Sequence, residues 1–332
     1  MVLWLILCAS IWLLAWWPHS KAVAIGGAMV TLFGYVAVLA LEFTLLVRIR
    51  QGDPAPLASL RQLAVAWVGE SWMAARVFGW RQPFRWKAVP DQVAVRADTT
   101  ELPPGPSERR GASEEGDGRR RARCGVVLVH GFVCNRGFWT PWLERLRDQR
   151  RAFVAVNLEP VFGSIDEVSL RLDEAVAQVR QATGMAPVLV CHSMGGLVAR
   201  AWLRRPGRAQ AAAHVITIGS PHRGTWLAHF SSTINGRQMR PGQAWIEDLA
   251  NAWSEALART FTCWWSNADN IVMPPSTATL PGADNRMVHG RGHVHLAFDP
   301  QVMEESFSLI ASFDEGADGA VDLDPHQESI RN

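Results

Sequence analysis

The sequence predicts an α/β protein: a mostly parallel sheet with helices on both faces, preceded by an N-terminal helical hairpin in a membrane. Two observations carry that expectation. From Cys124 onward, short apolar runs such as "GVVLV", "AFVAV", "PVLV" and "HVITI" alternate with amphipathic stretches of helical period. Strands that are apolar along their whole length are buried on both sides, as in a parallel sheet between two helix layers. Ahead of them, residues 2–17 and 22–41 contain no charged side chain, and about 20 apolar residues are enough to cross a bilayer.

Taken in order, "VLWLILCASIWLLAWW" (2–17) is marginal for a span and "AVAIGGAMVTLFGYVAVLAL" (22–41) fits one. Nothing before Trp4 is basic, so the charged start of a cleaved signal peptide is missing. A hairpin over 1–50 is therefore preferred to a single anchor or a buried helical pair. Arg48, Arg50 and Arg61 follow the second run, whereas the connector offers Lys21, so the positive-inside rule puts the remainder in the cytoplasm. Within 51–98, "PLASLRQLAVAWVGESWMAARVFGW" (56–80) is apolar at helical spacing with arginines opposite. It reads equally as a helix on the membrane surface or one packed on the domain that follows. Residues 99–123 mix Pro, Gly, Ser and charge with almost no apolar content and read as a disordered linker. Residues 314–332 are acidic and polar and read as a flexible tail, which leaves 124–313 as the folded domain.

A net charge of +2, from 33 basic and 31 acidic residues, leaves no electrostatic case for a nucleic-acid partner. The cysteines (Cys8, Cys124, Cys134, Cys191 and Cys263) show no Cys-x-x-Cys spacing. Cys124 and Cys134 flank a strand too long for the chain to return within bonding distance. No metal and no cofactor site is read from the sequence.

Inside the domain the expected order is strand "CGVVLVHGF", helix "TPWLERLRDQR", strand "AFVAVNLEP", and one helix of about six turns, "SIDEVSLRLDEAVAQVRQATG". Strand "PVLVCHS", helix "GGLVARAWLRR" and strand "AHVITIGSP" follow. Between Thr225 and Phe261 lies an insertion, about 225–260, where a substrate-covering cap would sit. Its "QAWIEDLANAWSEALA" sets Trp245, Leu249 and Trp253 on one helix face, which suits either a cap or ordinary core.

The chemistry centres on "CHSMGG". A serine hydroxyl is a weak nucleophile unless it is lifted clear of its neighbours and a base removes its proton. A sharp strand-to-helix turn does the lifting and crowds the flanking positions, so these must be small; Cys191 and Gly195 flank Ser193, with His192 and Gly196 completing the stretch. The departure from the Gly-x-Ser-x-Gly pattern is Cys191. An ordinary helix-capping serine is the competing reading. An attacked ester carbonyl becomes an oxyanion, for which the backbone N–H groups of Met194 and of Phe132 are the expected donors. Gly131 lets that second backbone approach, and His130 is expected to be a structural hydrogen-bonder. Downstream, "FTCWWSNADNIVMPP" offers Asp269 as the acid, with Asp284 second, and "VHGRGHVHLAF" offers His293 as the base, with His295 second.

Over 124 to about 312 the chain resembles an α/β-hydrolase of the lipase and esterase type. The pieces that carry this are "HGF", "CHSMGG", "GSPHRGT" and "SNADNIVMPP" followed by "GRGHVHL". The third is similar to the Gly-Thr-Pro-His-x-Gly-Thr signature of bacterial triacylglycerol lipases, with Ser220 in place of threonine. The resemblance implies Ser193, Asp269 and His293 as a triad working through an acyl-enzyme on lipid or other acyl esters; the apolar N-terminal runs put the enzyme at a membrane, the bacterial inner membrane being the expected location. An acyltransferase using the same triad and a non-catalytic scaffold with a hydrolase-like domain are the alternatives. The domain from Cys124 is expected to fold on its own core, with the N-terminal part raising the local concentration of an apolar substrate.

Overall fold

The computed structural model describes residues 2–50, 52–93 and 123–314. The expected linker and tail lie outside the described residues except for Arg123 and Asp314. Six strands form one parallel sheet: β1 Val126–Val129, β2 Phe153–Val156, β3 Val188–His192, β4 His214–Ile218, β5 Phe261–Ser266 and β6 Asp284–Val288, in spatial order β2-β1-β3-β4-β5-β6. Successive side chains of a strand point to opposite faces. Accordingly Val127, Val129, Leu189 and Cys191 enter one core, while Val126, Leu128, Val188 and Val190 enter the other. From β1 the chain moves outward to β2, and from β3 it moves the other way to β4. The connections diverge above the C-terminal ends of β1 and β3, where open parallel sheets place their sites.

Several expectations are corrected. The helix anticipated over 164–184 is two, Ile165–Ser169 and Arg171–Thr183, separated by Leu170. The insertion helix is likewise two, Ala244–Asn251 and Glu255–Ala258. Leu249 is buried in the core, and Trp245 and Trp253 pack against it, Trp253 with its ring 4.9 Å from Phe261. That stripe is core. β6, which the expected order of elements did not contain, pairs with β5 as an edge strand with Asp284 and Asn285 exposed.

The N-terminal part is two apolar helices and a third beside them: α1 Val2–Trp16, α2 Lys21–Ile49 and α3 Leu60–Arg76. α1 folds back along α2, with the Trp12 indole seated over Gly27 and donating from Nε1 to Val23 O at 3.0 Å. At about 1.5 Å per residue the 15 residues of α1 reach roughly 22 Å, short of a hydrocarbon core of about 30 Å. Among the described helices, α2 alone is long and apolar enough to cross a membrane. Arg50 turns inward, its Nη2 donating to Ala55 O and Pro56 O, and so serves the fold rather than an exposed positive flank.

Residues 60–93 are built into the sheet domain. Val77 and Val89 are buried in the same core as β1 and β3, and Gln92 exchanges both backbone hydrogen bonds with Phe153 of β2. Of the two readings of 56–80, packing on the domain is present: Ala66 and Glu70 are buried. The opposite face leaves Val65, Val68 and Trp72 exposed. The domain therefore does not own a core independent of what precedes Cys124.

Candidate active site

β3 ends at His192, and the helix Met194–Leu203 starts two residues later. Ser193 makes the whole turn, with φ 55° and ψ −128°, a backbone region costly for any residue with a side chain. The two following glycines have steric causes. A Cβ on Gly195 would stand 2.4 Å from Val129 O, and one on Gly196 would stand 2.3 Å from Ser220 Oγ. Cys191 is fully buried in the core beneath the turn, and burial raises its thiol pKa.

The loop after β1 presses on the serine from the side: a Cβ on Gly131 would sit 2.7 Å from Ser193 Cβ. Phe132 follows, and Val133 holds φ 55°, so the loop is strained on this flank too. Met194 and Gly195 open a helix, and the first N–H groups of a helix have no intrahelical acceptor. His130 shares its Nδ1 proton with Gly131 O at 2.9 Å and accepts from Leu158 N at Nε2, 3.1 Å away. Burial pushes its pKa down to about 4, so it is a neutral brace for the loop.

His293 Nδ1 lies 3.0 Å from Asp269 Oδ2 and 3.1 Å from Oδ1, both side chains almost wholly buried. Asp269 is aimed by two further bonds, accepting at Oδ1 from Ile271 N and Val272 N. Burial opposes charge on the imidazole, but the charge and hydrogen bond of Asp269, with Glu70 and Glu42 behind it, hold the pKa of His293 above its usual 6.5. Ser193 and His293 line the same pocket. Asp284 lies at the start of β6, away from the site edge, its Oδ2 paired with Arg286 Nε at 2.8 Å and Thr262 Oγ1 at 3.2 Å. His295 is packed against Gly69 of α3, where a Cβ would come within 2.4 Å of its Nδ1.

Five residues around this pair carry no obvious label in the sequence. Gly219, at φ 56°, lets β4 end against it: a Cβ there would stand 3.1 Å from Asp269 Oδ2 and 3.2 Å from His293 Nδ1. Asn270 Oδ1 accepts from His293 N at 3.0 Å, and Asn267 Oδ1 accepts from Gly290 N at 2.9 Å. Glu70 of α3 accepts from Val294 N and His295 N, both at 2.9 Å, across 224 and 225 positions of sequence. Burial pushes its pKa up to about 7 despite those two bonds. Glu42 of α2 accepts from Asn270 Nδ2 at 2.6 Å. Only the asparagines, as close neighbours of Asp269, and the glycine, inside "GSPHRGT", could have been singled out beforehand. His192 bonds His293 O through Nε2 at 3.2 Å, stacks on Phe138, and is held neutral by burial.

Above this polar floor is a cavity of about 730 Å³. Its walls are Leu5 and Ile6 of α1, Leu32, Phe33, Val38 and Leu39 of α2, and Phe78, Phe132, Val133 and Ile271. Among the described residues, none lining it comes from the insertion at 225–260, so the expected cap does not cover this pocket.

A model of the alpha/beta hydrolase family matches residues 126–315. The chain belongs to the alpha/beta hydrolase family. Within it, the chain is 27% identical to a triacylglycerol lipase of Pseudarthrobacter phenanthrenivorans, over 62% of this chain and 72% of that protein. It is equally similar to a triacylglycerol lipase of Burkholderia plantarii, spanning 64% of that protein's length. A solved lipase of Bacillus licheniformis in mature form superposes with a TM-score of 0.51 at 17% identity, covering 57% of this chain and 93% of its own, which is a likeness of fold. The alpha/beta hydrolase match begins at Val126, after all three N-terminal helices.

Proposed function

We propose that this hydrolase is a membrane-anchored serine esterase cleaving acyl esters of lipid type through Ser193, His293 and Asp269. The observation that carries the reading is the strained Ser193 turn facing, across one apolar pocket, a histidine whose Nδ1 is held by a buried aspartate. In this reading His293 Nε2 takes the Ser193 proton as Oγ attacks the ester carbonyl, and Asp269 fixes the tautomer and steadies the imidazolium. The N–H groups of Met194 and Phe132 face the oxyanion. The imidazolium then protonates the leaving alcohol, and a water repeats the sequence on the acyl-enzyme. The lipase names of the relatives favour an oxygen ester of an acyl chain, and the hydrocarbon walls favour the chain over a polar acid. α2 supplies the anchor: Lys21 and Glu42 bound a charge-free run rising about 30 Å, one hydrocarbon thickness. Trp16 and Trp17 beside Lys21 suit an interface.

The test is a fluorophosphonate probe with a short p-nitrophenyl ester on the full chain. Wild type should be labelled at Ser193. Ser193→Ala should lose labelling and turnover, and Asp269→Asn should lower kcat by about 10⁴. Turnover by Ser193→Ala within tenfold of wild type would place the nucleophile elsewhere.

A further inference from the structure

We propose that the acyl chain of a bilayer lipid enters this site sideways, from the leaflet, and lies in a cleft walled by the membrane helices themselves; this rests on the esterase reading above. The hydrolase fold supplies only part of the lining of the cavity over Ser193 and His293. The remaining walls come from α1, α2 and the end of α3, outside the family's 126–315. On α2 the lining includes Leu32, Tyr35, Leu39 and Glu42, a stripe at helical spacing, with Phe33 and Val38 beside it. Glu42 stands at the catalytic end, bonded to Asn270, which in turn holds His293. From Glu42 to Leu32 the helix rises about 15 Å, half of a hydrocarbon core of about 30 Å and so the depth of one leaflet.

That wall has two sides. Leu32, Phe33 and Val38 line the cavity and are 37%, 51% and 55% exposed, so this wall carries apolar surface that the fold does not cover. A helix that meets hydrocarbon on its outer side therefore brings the cleft to the leaflet without passing through water. Across the gap, α3 and the turn after it offer Ala74, Ala75 and Gly79, small side chains that leave the opening wide. Two bonds set the spacing of the helices, Tyr35 Oη to Ser71 O at 3.2 Å and Trp67 Nε1 to Val36 O at 3.0 Å. Beyond the cleft, α3 presents Val65, Val68 and Trp72 outward between Arg61 and Arg76, the pattern of a helix lying in the interface. The ester of a lipid whose chain fills the stripe would then reach Ser193 at the level of Glu42.

Full-length protein is reconstituted in phosphatidylcholine vesicles with a fluorogenic long-chain diacylglycerol ester placed either in the same vesicles or in separate ones. Sideways entry predicts turnover in the same vesicles at least tenfold faster than in separate ones. A second measurement takes the ratio of vesicle-ester to soluble-ester turnover: Leu39→Trp, which fills the stripe, should lower it at least tenfold, and Leu41→Trp, which lies off the stripe, should not. Equal turnover in both vesicle arrangements, or a ratio unmoved by Leu39→Trp, overturns the proposal. So does wild type that cleaves the soluble ester and labels at Ser193 but leaves the vesicle ester untouched. Failure of the soluble ester and of labelling would instead remove the esterase reading on which it rests.

Discussion

His293 is held from several separate parts of the chain. Asp269 takes its Nδ1, Asn270 its backbone N–H, and Glu70 the N–H groups of the next two residues, while Glu42 steadies Asn270 from α2. Glu70→Gln keeps the volume but turns an amide NH₂ toward one of two N–H donors. A buried N–H left without an acceptor costs about 1–3 kcal/mol. Felt as displacement of the base, that corresponds to a kcat lower by about five- to a hundredfold on a soluble ester. The pH profile separates positioning from mere packing. A general base works only when neutral, so with the pKa of His293 held above 6.5 the acid limb of kcat/KM should lie above 6.5, activity falling as pH drops through it. Facing the imidazole are Asp269, Glu70 and Glu42, all of which raise its pKa, and His192, which burial keeps neutral. Removing the Glu70 charge takes away one of the raising influences, so the limb should move to lower pH in Glu70→Gln. A limb that stays in place while kcat falls would reduce Glu70 to a packing residue.

The turn from β3 into Met194–Leu203 is the element on which the site depends, and its two glycines are not equivalent. Gly195→Ala drives a methyl into the backbone of β1, 2.4 Å from Val129 O, whereas Gly196→Ala meets Ser220, whose Oγ can rotate away and leaves its Cβ, 2.7 Å off, as the remaining close contact. Overpacking of the first kind costs about 1–3 kcal/mol, and each kcal/mol lowers Tm by about 2–4 °C in a domain of this size. Gly195→Ala should therefore lower Tm by several degrees in thermal unfolding, and by more than Gly196→Ala; the reverse order would mean that the helix, not the sheet, gives way. This element was legible because its causes are local: an apolar strand, small flanks and a resumed helical period within sixteen residues. β1 to β4 were legible for the same reason. β6 was not, since an edge strand with "DNRMV" exposes polar side chains and carries no burial signal. Nor was the break at Leu170, where the helical pattern runs on and only the backbone path divides it. Glu70 was the hardest, because a glutamate inside an amphipathic helix reads as solvated, and its partners lie more than 220 residues away.

At the scale of the whole molecule, apolar helices look alike in sequence whether they face lipid or protein, and the N-terminal helices here face both. That is why a domain complete from Cys124 seemed a reasonable expectation and why the structure disagrees with it. Cutting the chain near Arg119 would remove Glu70 from the N–H groups of Val294 and His295, and Glu42 from Asn270. It would remove Val77 and Val89 from a core shared with β1 and β3, and Gln92 from its paired bonds to the edge strand β2. Each fully buried valine contributes about 1.5–3 kcal/mol, against a total stability of about 5–15 kcal/mol for a typical domain. The truncated chain should consequently be a poor enzyme even where no membrane is involved. On a soluble short-chain ester its kcat/KM per labelled Ser193 should fall at least a hundredfold, with a lowered unfolding temperature beside it. Full-length protein in detergent should retain the activity, because detergent replaces the bilayer without disturbing α2 and α3 against the sheet. A truncated chain within tenfold of full length on the soluble ester would return these helices to the role of a simple anchor.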